Sequence, residues 1–312
     1  MPELPEVETV RAGLAPALTG AEVLEVEVLD ARSLKRHPAP AADFVRTLIG
    51  TRIEAVVRRG KFLWMPLSAS DGRFAHPVAL VGHLGMSGQM LLREPGFEPE
   101  KLTRVVILAK TPSGEKVEFR FIDQRIFGSL AIDDLVPTPD GKPGGFSAGA
   151  LASSIFENLI PRSAAHIARD PLDENFNQQA VLQGLAKKQS GIKRVLLDQN
   201  LLSGIGNIYA DEALWRARLH YDQPAATLSN RKAQELLEHV REILAAAVKQ
   251  GGTSFDEQYK NVNGESGYFA VSLNAYGMTG RPCSRCEKPI RRDSWMNRGS
   301  HFCPNCQHLK IG

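Results

Sequence analysis

Hydrophobic positions near the start of the 312-residue chain recur at steps of three and four: Leu4, Val7, Val10, Leu14 and Leu18. That spacing predicts an amphipathic helix over residues 2–18. Glu3, Glu6 and Glu8 fall in its first turns, where negative charge complements the helix dipole. The period then shortens to two. Leu24, Val26 and Val28 alternate with Glu25 and Glu27, the pattern of a half-buried strand. Apolar-rich runs at 51–57 and 61–67 predict a hairpin broken at Arg58-Arg59-Gly60, with Lys61 just past the turn. Further strands are expected at 78–83, 86–93, 104–110 and 115–122. Seven or so short strands and one helix predict a β-sandwich with the helix on one side.

The second half switches to helical spacing, with helices expected over 177–188, 191–199, from Ile208, and over 229–250. Ser229 is placed to cap the last and Gly251 to stop it, with Leu236, Leu237, Val240, Ile243, Leu244 and Val248 on its buried face. Residues 136–149 are rich in Pro and Gly and read as a linker or surface insertion. The polar, glycine-containing stretch 251–267 reads as a mobile loop, a candidate lid. The expected organisation is an α+β multidomain chain. It has a sandwich over 1–135, a linker over 136–150, a helical domain over 151–275 and a small module over 276–312.

Composition changes this picture in two ways. No apolar run reaches 18 residues, and the start lacks a basic segment followed by an apolar one, so neither a membrane span nor a secretory leader is expected and the protein is expected in the cytoplasm. Net charge is only +3, but residues 280–312 carry seven Lys/Arg against two acids, leaving −2 for the rest. A basic module on a near-neutral body suits phosphate binding. All four cysteines lie in that module as Cys283, Cys286, Cys303 and Cys306, a C-x2-C-x16-C-x2-C pattern suited to tetrahedral Zn²⁺. The residues between the two pairs are expected to form a hairpin with Asn297-Arg298-Gly299 at or near its turn.

Candidate chemistry begins at Pro2. If Met1 is removed, Pro2 is a free secondary amine, and at pH 7 roughly one α-amine in seven is neutral. A neutral amine can attack carbon and form an imine, and Glu3 beside it offers a carboxylate for proton transfer. Two prolines that merely start a helix are the alternative. Lys61 could reach such a site or be a solvated hairpin lysine. The loop Gly82-His-Leu-Gly-Met-Ser-Gly88 permits close approach to a ligand, or is simply a tight turn. Arg125 and Phe127 share one side by the two-residue period and could read and stack on bases, or be a surface arginine beside a core aromatic. Ser203-Gly-Ile-Gly-Asn207 opens a helix with two glycines, an anion site or a plain helical hairpin, with Lys188, Lys193 and Arg194 upstream.

Taken together, these stretches resemble the formamidopyrimidine-DNA glycosylases, bacterial base-excision repair enzymes for oxidised purines. The matching segments are Met1 to Arg11, Arg59-Gly-Lys61, His83-Leu-Gly-Met-Ser-Gly88, Asp123-Gln-Arg-Ile-Phe-Gly128, Gly204-Ile-Gly-Asn-Ile-Tyr-Ala210, Gly267-Tyr-Phe-Ala270, Tyr276-Gly277 and the four-cysteine module. The resemblance implies an N-terminal β-sandwich with a flanking helix, a helix–two-turn–helix domain and a zinc finger, with double-stranded DNA crossing between domains and the protein acting as a monomer. It implies that Pro2 attacks the sugar C1′ of a flipped nucleotide, that Glu3 shuttles protons, and that Lys61 and Arg298 contact phosphate and assist strand cleavage. His83, Lys188, Lys193, Asn207 and Tyr276 match DNA contacts. Met86, Arg125 and Phe127 match the trio that fills the vacated space in the duplex, Arg125 facing the orphaned cytosine. Where many members carry a DNA-contacting histidine near 102–104, this chain has Leu102-Thr103-Arg104, and Arg104 is the cation placed to substitute. The sibling group acting on oxidised pyrimidines shares Pro2-Glu3 but usually has Gly where this chain has Leu4. A zinc-finger protein that binds DNA without cutting it would keep every phosphate contact yet have no need of Pro2 beside Glu3.

Overall fold

The structure, a computed structural model, describes residues 2–252 and 272–310. The candidate lid and the Gly267–Ala270 motif fall outside the described residues, save for Gly251 and Gly252. The described residues divide into two compact units, 2–166 and 167–252 with 272–310.

The first unit opens with helix α1 (Leu4–Leu18), whose Leu4, Val7, Val10, Leu14 and Leu18 are all essentially fully buried. Removing each such side chain from water stabilises by roughly 1.5–3 kcal/mol, which is why this stripe decides the helix's orientation. Ten strands follow: β1 (Glu22–Val28), β2 (Arg52–Ile53), β3 (Val57–Arg59), β4 (Phe62–Ser68), β5 (Val78–His83), β6 (Gly88–Arg93), β7 (Thr103–Lys110), β8 (Lys116–Asp123), β9 (Ser129–Pro137) and β10 (Leu159–Pro161). They form one continuous ladder in the order β10-β9-β5-β4-β2-β1-β7-β8-β6, with β3 on β4. Inward residues of both ends of this ladder, among them Leu80 of β5, Leu130 of β9, Ile107 of β7 and Phe119 of β8, join one core with α1. This is the expected sandwich, its two halves meeting through the two-residue β2.

Several local expectations are corrected. Leu24 is not an inward residue of β1. A bulge lets Val23 pair with Ala109 and Glu25 with Leu108, so Leu24 is the extra residue, and Val23, Val26 and Val28 face the core together. Arg58 and Arg59 are not turn residues but belong to β3, paired with Leu63 and Phe62 and both buried. The turn is Gly60-Lys61, with Gly60 in the left-handed region. Strands β9 and β10, and helix α2 (Ala41–Leu48), which buries Phe44 and Leu48, were not expected. The Pro- and Gly-rich stretch is no tether between units: it is docked within the first one, and the division falls after His166.

The second unit contains α3 (Gln178–Ala186), α4 (Ile192–Leu196), α5 (Asn207–Arg216) and α6 (Asn230–Lys249). Ser229 caps α6, its hydroxyl accepting from the Lys232 N–H, and Gly251 follows the helix at positive φ. The hairpin β11 (Arg291–Trp295) and β12 (Arg298–Phe302) lies between the cysteine pairs. Its turn is Met296-Asn297, both at positive φ, so Arg298 is the first residue of β12 rather than part of the turn. Among the described residues no helix is long and apolar enough to cross a membrane.

Candidate functional site

In the first unit, strand register gathers the candidate residues at one end of the sheet. Leu63 pairs with Gly82, His83 with Ser129, and Gly88 with Asp123. The Lys61 turn, the 83–88 loop and the 123–128 loop therefore leave the sheet together. Helix α1 is tied to the same region: Glu8 accepts from Arg58 Nε at 2.8 Å, and Arg58 lies three residues before Lys61. Pro2 and Glu3 immediately precede α1 and are buried. Glu3 is the helix N-cap with extended backbone, and its N–H donates to the Glu6 carboxylate at 2.7 Å.

The two loops are built against each other. Asp123 is fully buried; one carboxylate oxygen accepts from the Ser87 hydroxyl at 2.7 Å and from the Arg125 N–H at 3.2 Å, and the other from the Gly128 N–H at 2.7 Å. A Cβ on Gly85, which sits at positive φ, would lie 2.4 Å from the Gly128 nitrogen, so only glycine lets the backbones touch. Lys35 adds a third hold, donating to the carbonyl of Ile126 at 2.6 Å. Held this way, Met86, Arg125 and Phe127 all project to solvent, Met86 at 45% and Phe127 at 51% exposure. Large apolar side chains left exposed on loops that are hydrogen-bonded to each other mark a candidate interaction surface.

His83 accepts the Gly85 N–H on Nδ1 at 3.0 Å and packs edge-on to Phe62. Burial first, then the charges of Arg36, Lys61 and Lys35, push it down to about 4. At neutral pH it is uncharged, and with Nδ1 accepting, its proton sits on Nε2, a donor suited to a phosphate oxygen. Arg104, the residue expected to replace the missing histidine, turns inward instead. Its Nε donates to the Asp123 carbonyl at 2.8 Å and its Nη1 pairs with Asp30 at 3.1 Å.

In the second unit a buried network presents the finger. Lys193 is fully buried, paired with Asp211 at 2.6 Å, and donates to the Gly299 carbonyl at 3.2 Å and the Ser300 hydroxyl at 2.7 Å. It is an internal anchor, not a surface contact. Asn207, the first residue of α5, donates to the same Gly299 carbonyl at 3.1 Å. Both grips fall on the residue after Arg298, which is exposed. Asp211 also accepts from the His301 N–H at 2.9 Å. The adjacent Glu212 accepts the backbone N–H groups of Asn274, Ala275 and Tyr276 and so fixes Tyr276, whose ring packs edge-on to His301. Burial pushes the Glu212 carboxyl up, against the pull of those donors. Lys188 remains on the surface, 3.4 Å from Asp198. Asp123, Asp211, Glu212 and Lys35 were not singled out from sequence. The adjacent acids Asp211-Glu212 between apolar turns of one helix were the available signal, since buried carboxylates need donors.

The four cysteine sulfurs lie within 4.8 Å of one another. A tetrahedral zinc with Zn–S of about 2.3 Å places its sulfurs about 3.8 Å apart, so the cluster fits such an ion. Burial pushes the Cys283 thiol up, but hydrogen bonding, from the Arg285 N–H first, brings it below its ordinary value. The Lys288 N–H, above all, draws Cys286 down to about 6. Donors aimed at sulfur favour the thiolate, the form a metal requires, at these two cysteines, while burial first, then the neighbouring sulfurs, push Cys303 and Cys306 up, Cys306 to about 12.

Known proteins similar to this chain share one family description. Residues 1–130 match the model of the formamidopyrimidine-DNA glycosylase N-terminal domain, and 167–258 that of the formamidopyrimidine-DNA glycosylase H2TH domain. A formamidopyrimidine-DNA glycosylase of Leifsonia xyli is 54% identical over 99% of this chain and 100% of its own. One from Salinispora arenicola is 50% identical over 98% and 96%. Among solved structures, a Lactococcus lactis Fpg bound to DNA with an abasic site has a TM-score of 0.78 at 29% identity, covering 98% of this chain and 99% of that one. A MutM complex with DNA containing carbocyclic 8-oxo-G has a TM-score of 0.77 at 29% identity, with the same coverage.

Proposed function

The chain belongs to the formamidopyrimidine-DNA glycosylase family and is an oxidised-purine DNA glycosylase with AP lyase activity, and we propose that Pro2 is its nucleophile. With Met1 removed, the Pro2 amine attacks C1′ of a flipped nucleotide, the damaged base departs, and an imine links protein and sugar. Glu3, at the start of α1, carries protons to and from the opening sugar. The imine acidifies the C2′ hydrogen, so the 3′ phosphate leaves by β-elimination and the 5′ phosphate by δ-elimination. Lys61 contacts the lesion-side phosphate and assists these steps, and Arg298 grips the backbone from the finger. Neutral His83 donates to a phosphate oxygen; Asn207, Tyr276 and Lys188 complete the backbone contacts. Met86 and Phe127 occupy the space left by the extruded base, and Arg125 pairs with the unpartnered cytosine.

Cys283, Cys286, Cys303 and Cys306 would hold one structural zinc ion, which would staple the hairpin between the two pairs and take no part in the reaction. The protein acts as a monomer on duplex DNA in the cytoplasm. Lys193 and Arg104, whose charges are engaged internally, position their neighbours in this scheme rather than contact DNA.

The observation that carries this reading is the convergence of Lys61, His83, Met86, Arg125 and Phe127 at one end of the sheet, beside the helix that Pro2-Glu3 begins. Borohydride trapping on duplex DNA containing 8-oxoguanine opposite cytosine tests it. A covalent adduct is expected from the native protein and none from protein that retains Met1, in which the Pro2 nitrogen is an unreactive amide, while both bind the duplex. Full-rate trapping by protein that mass spectrometry shows still carries Met1 would overturn the assignment.

A further inference from the structure

The stretch 138–149 takes no part in the chemistry above, yet it is docked more tightly than a surface insertion needs. Phe146 and Arg58 exchange both backbone hydrogen bonds, at 3.0 and 2.8 Å. Strand β3 has only three residues and pairs with β4; this exchange adds a partner from outside that pairing. The stretch is anchored at its far side too: Thr138 N–H donates to the Asn158 carbonyl at 3.0 Å and Gly144 N–H to that of Glu157 at 2.7 Å. Its glycines are required by contact. A Cβ on Gly144 would lie 1.9 Å from the Leu159 carbonyl oxygen, and one on Gly145 2.5 Å from that of Arg58 and 2.5 Å from the Trp64 ring.

What Phe146 holds is connected to the catalytic end. Its ring lies 5.0 Å from the Arg11 guanidinium. Arg11 and Arg58 grip the two carboxylate oxygens of Glu8 at 2.8 Å each, joining α1 to β3. Arg58 Nη1 also reaches the Gly60 carbonyl at 3.4 Å, in the two-residue turn that carries Lys61. We propose that residues 138–149 are a brace that sets Lys61 relative to the helix bearing Pro2, with Phe146 its positioning residue. The proposal rests on the assignment of Pro2 and Lys61 above. A hairpin tip displaced by about 1 Å can lose up to a hundredfold in rate without loss of binding.

The test compares native protein, Phe146→Ala and Phe146→Tyr, each with Lys61 present and with Lys61→Ala. Single-turnover strand cleavage of abasic-site DNA is read at saturating protein, together with the Kd for DNA carrying an uncleavable abasic analogue. Phe146→Ala is expected to slow cleavage at least tenfold with Kd changed less than threefold, Phe146→Tyr to restore the rate, and Phe146→Ala to add nothing in the Lys61→Ala background. If Phe146→Ala unfolds, Phe146→Leu is read in its place. An unchanged rate, or an equal loss with and without Lys61, would overturn the brace alone. Absence of any trapped adduct from the native protein would overturn the reaction reading first, and the brace with it.

Discussion

The Lys193 ammonium and the Asp211 carboxylate lie 2.6 Å apart with neither side chain open to solvent. A buried pair gains little over an apolar pair of similar volume, but loss of one partner strands a charge and costs about 3–5 kcal/mol. Lys193→Met is therefore expected to destabilise the second unit by that order, and the double replacement Lys193→Met with Asp211→Leu to recover much of it. Urea unfolding of the three proteins checks this. A Lys193→Met protein as stable as the native one would mean that the pair is solvated.

Asp123 links the loops that carry Met86, Arg125 and Phe127 through Ser87, Arg125 N–H and Gly128 N–H. Asp123→Asn keeps its size but loses the charge, and its amide nitrogen cannot accept. Excision of 8-oxoguanine from a duplex is expected to fall by roughly tenfold, about 1.4 kcal/mol of transition-state stabilisation. Excision from an unpaired strand, where there is no stack to replace, is expected to change much less. Equal losses on both substrates would show that the loops do not act on the duplex.

His83 carries a pH signature. Its folded value is depressed to about 4, mainly by burial, from an ordinary 6.5. Between those values the unfolded chain binds the proton and the folded protein does not, so stability rises with pH through this window and is lost as pH falls from 6.5 towards 4. Between pH 7 and pH 5 the loss from this residue is about 2 kcal/mol. His83→Gln is expected to remove that part of the slope, read as urea midpoints at the two pH values. An identical slope in both proteins would place the proton elsewhere.

Trp215 packs in one cluster with Cys283, Cys303, Ala275 and Ile290, and its ring lies under the Arg285 guanidinium at 3.6 Å. Groups that hold a metal's ligands typically contribute 10–100-fold to affinity. Trp215→Ala removes the ring that backs two of the cysteines, so zinc is expected to pass to a chromogenic chelator at correspondingly lower chelator concentration. DNA binding falls only as zinc is lost. Unchanged zinc retention would show that the ring does not hold the cysteines in place.

Much of this molecule could be read from spacing alone, because the signals are local. The stripe from Leu4 to Leu18 can bury its apolar side only as a helix, the cysteine pairs have the spacing that brings four sulfurs to one point, and Ser229 and Gly251 bound a helix by their own backbone chemistry. The N-terminal Pro-Glu pair, Lys61 and the two glycine-bounded loops were likewise visible as candidates, each beside a bland alternative.

Partnership across the chain was not visible. Which of two neighbouring lysines is buried depends on whether a carboxylate waits inside, and Lys193 meets Asp211 only once α4 and α5 have packed. Arg104 carries the same charge as Arg125, but Asp30 and the Asp123 carbonyl turn one inward while the other stays exposed. A bulge at Leu24 puts Val23 in its place on the core face beside Val26 and Val28, a choice made by pairing with β7. The Pro- and Gly-rich stretch resembles a linker because its residues form no regular element, yet β3 offers it a place to bond. Periodicity and ligand spacing are properties of neighbours in sequence; the fate of a charge or of an open backbone group is settled by whatever folding brings opposite it.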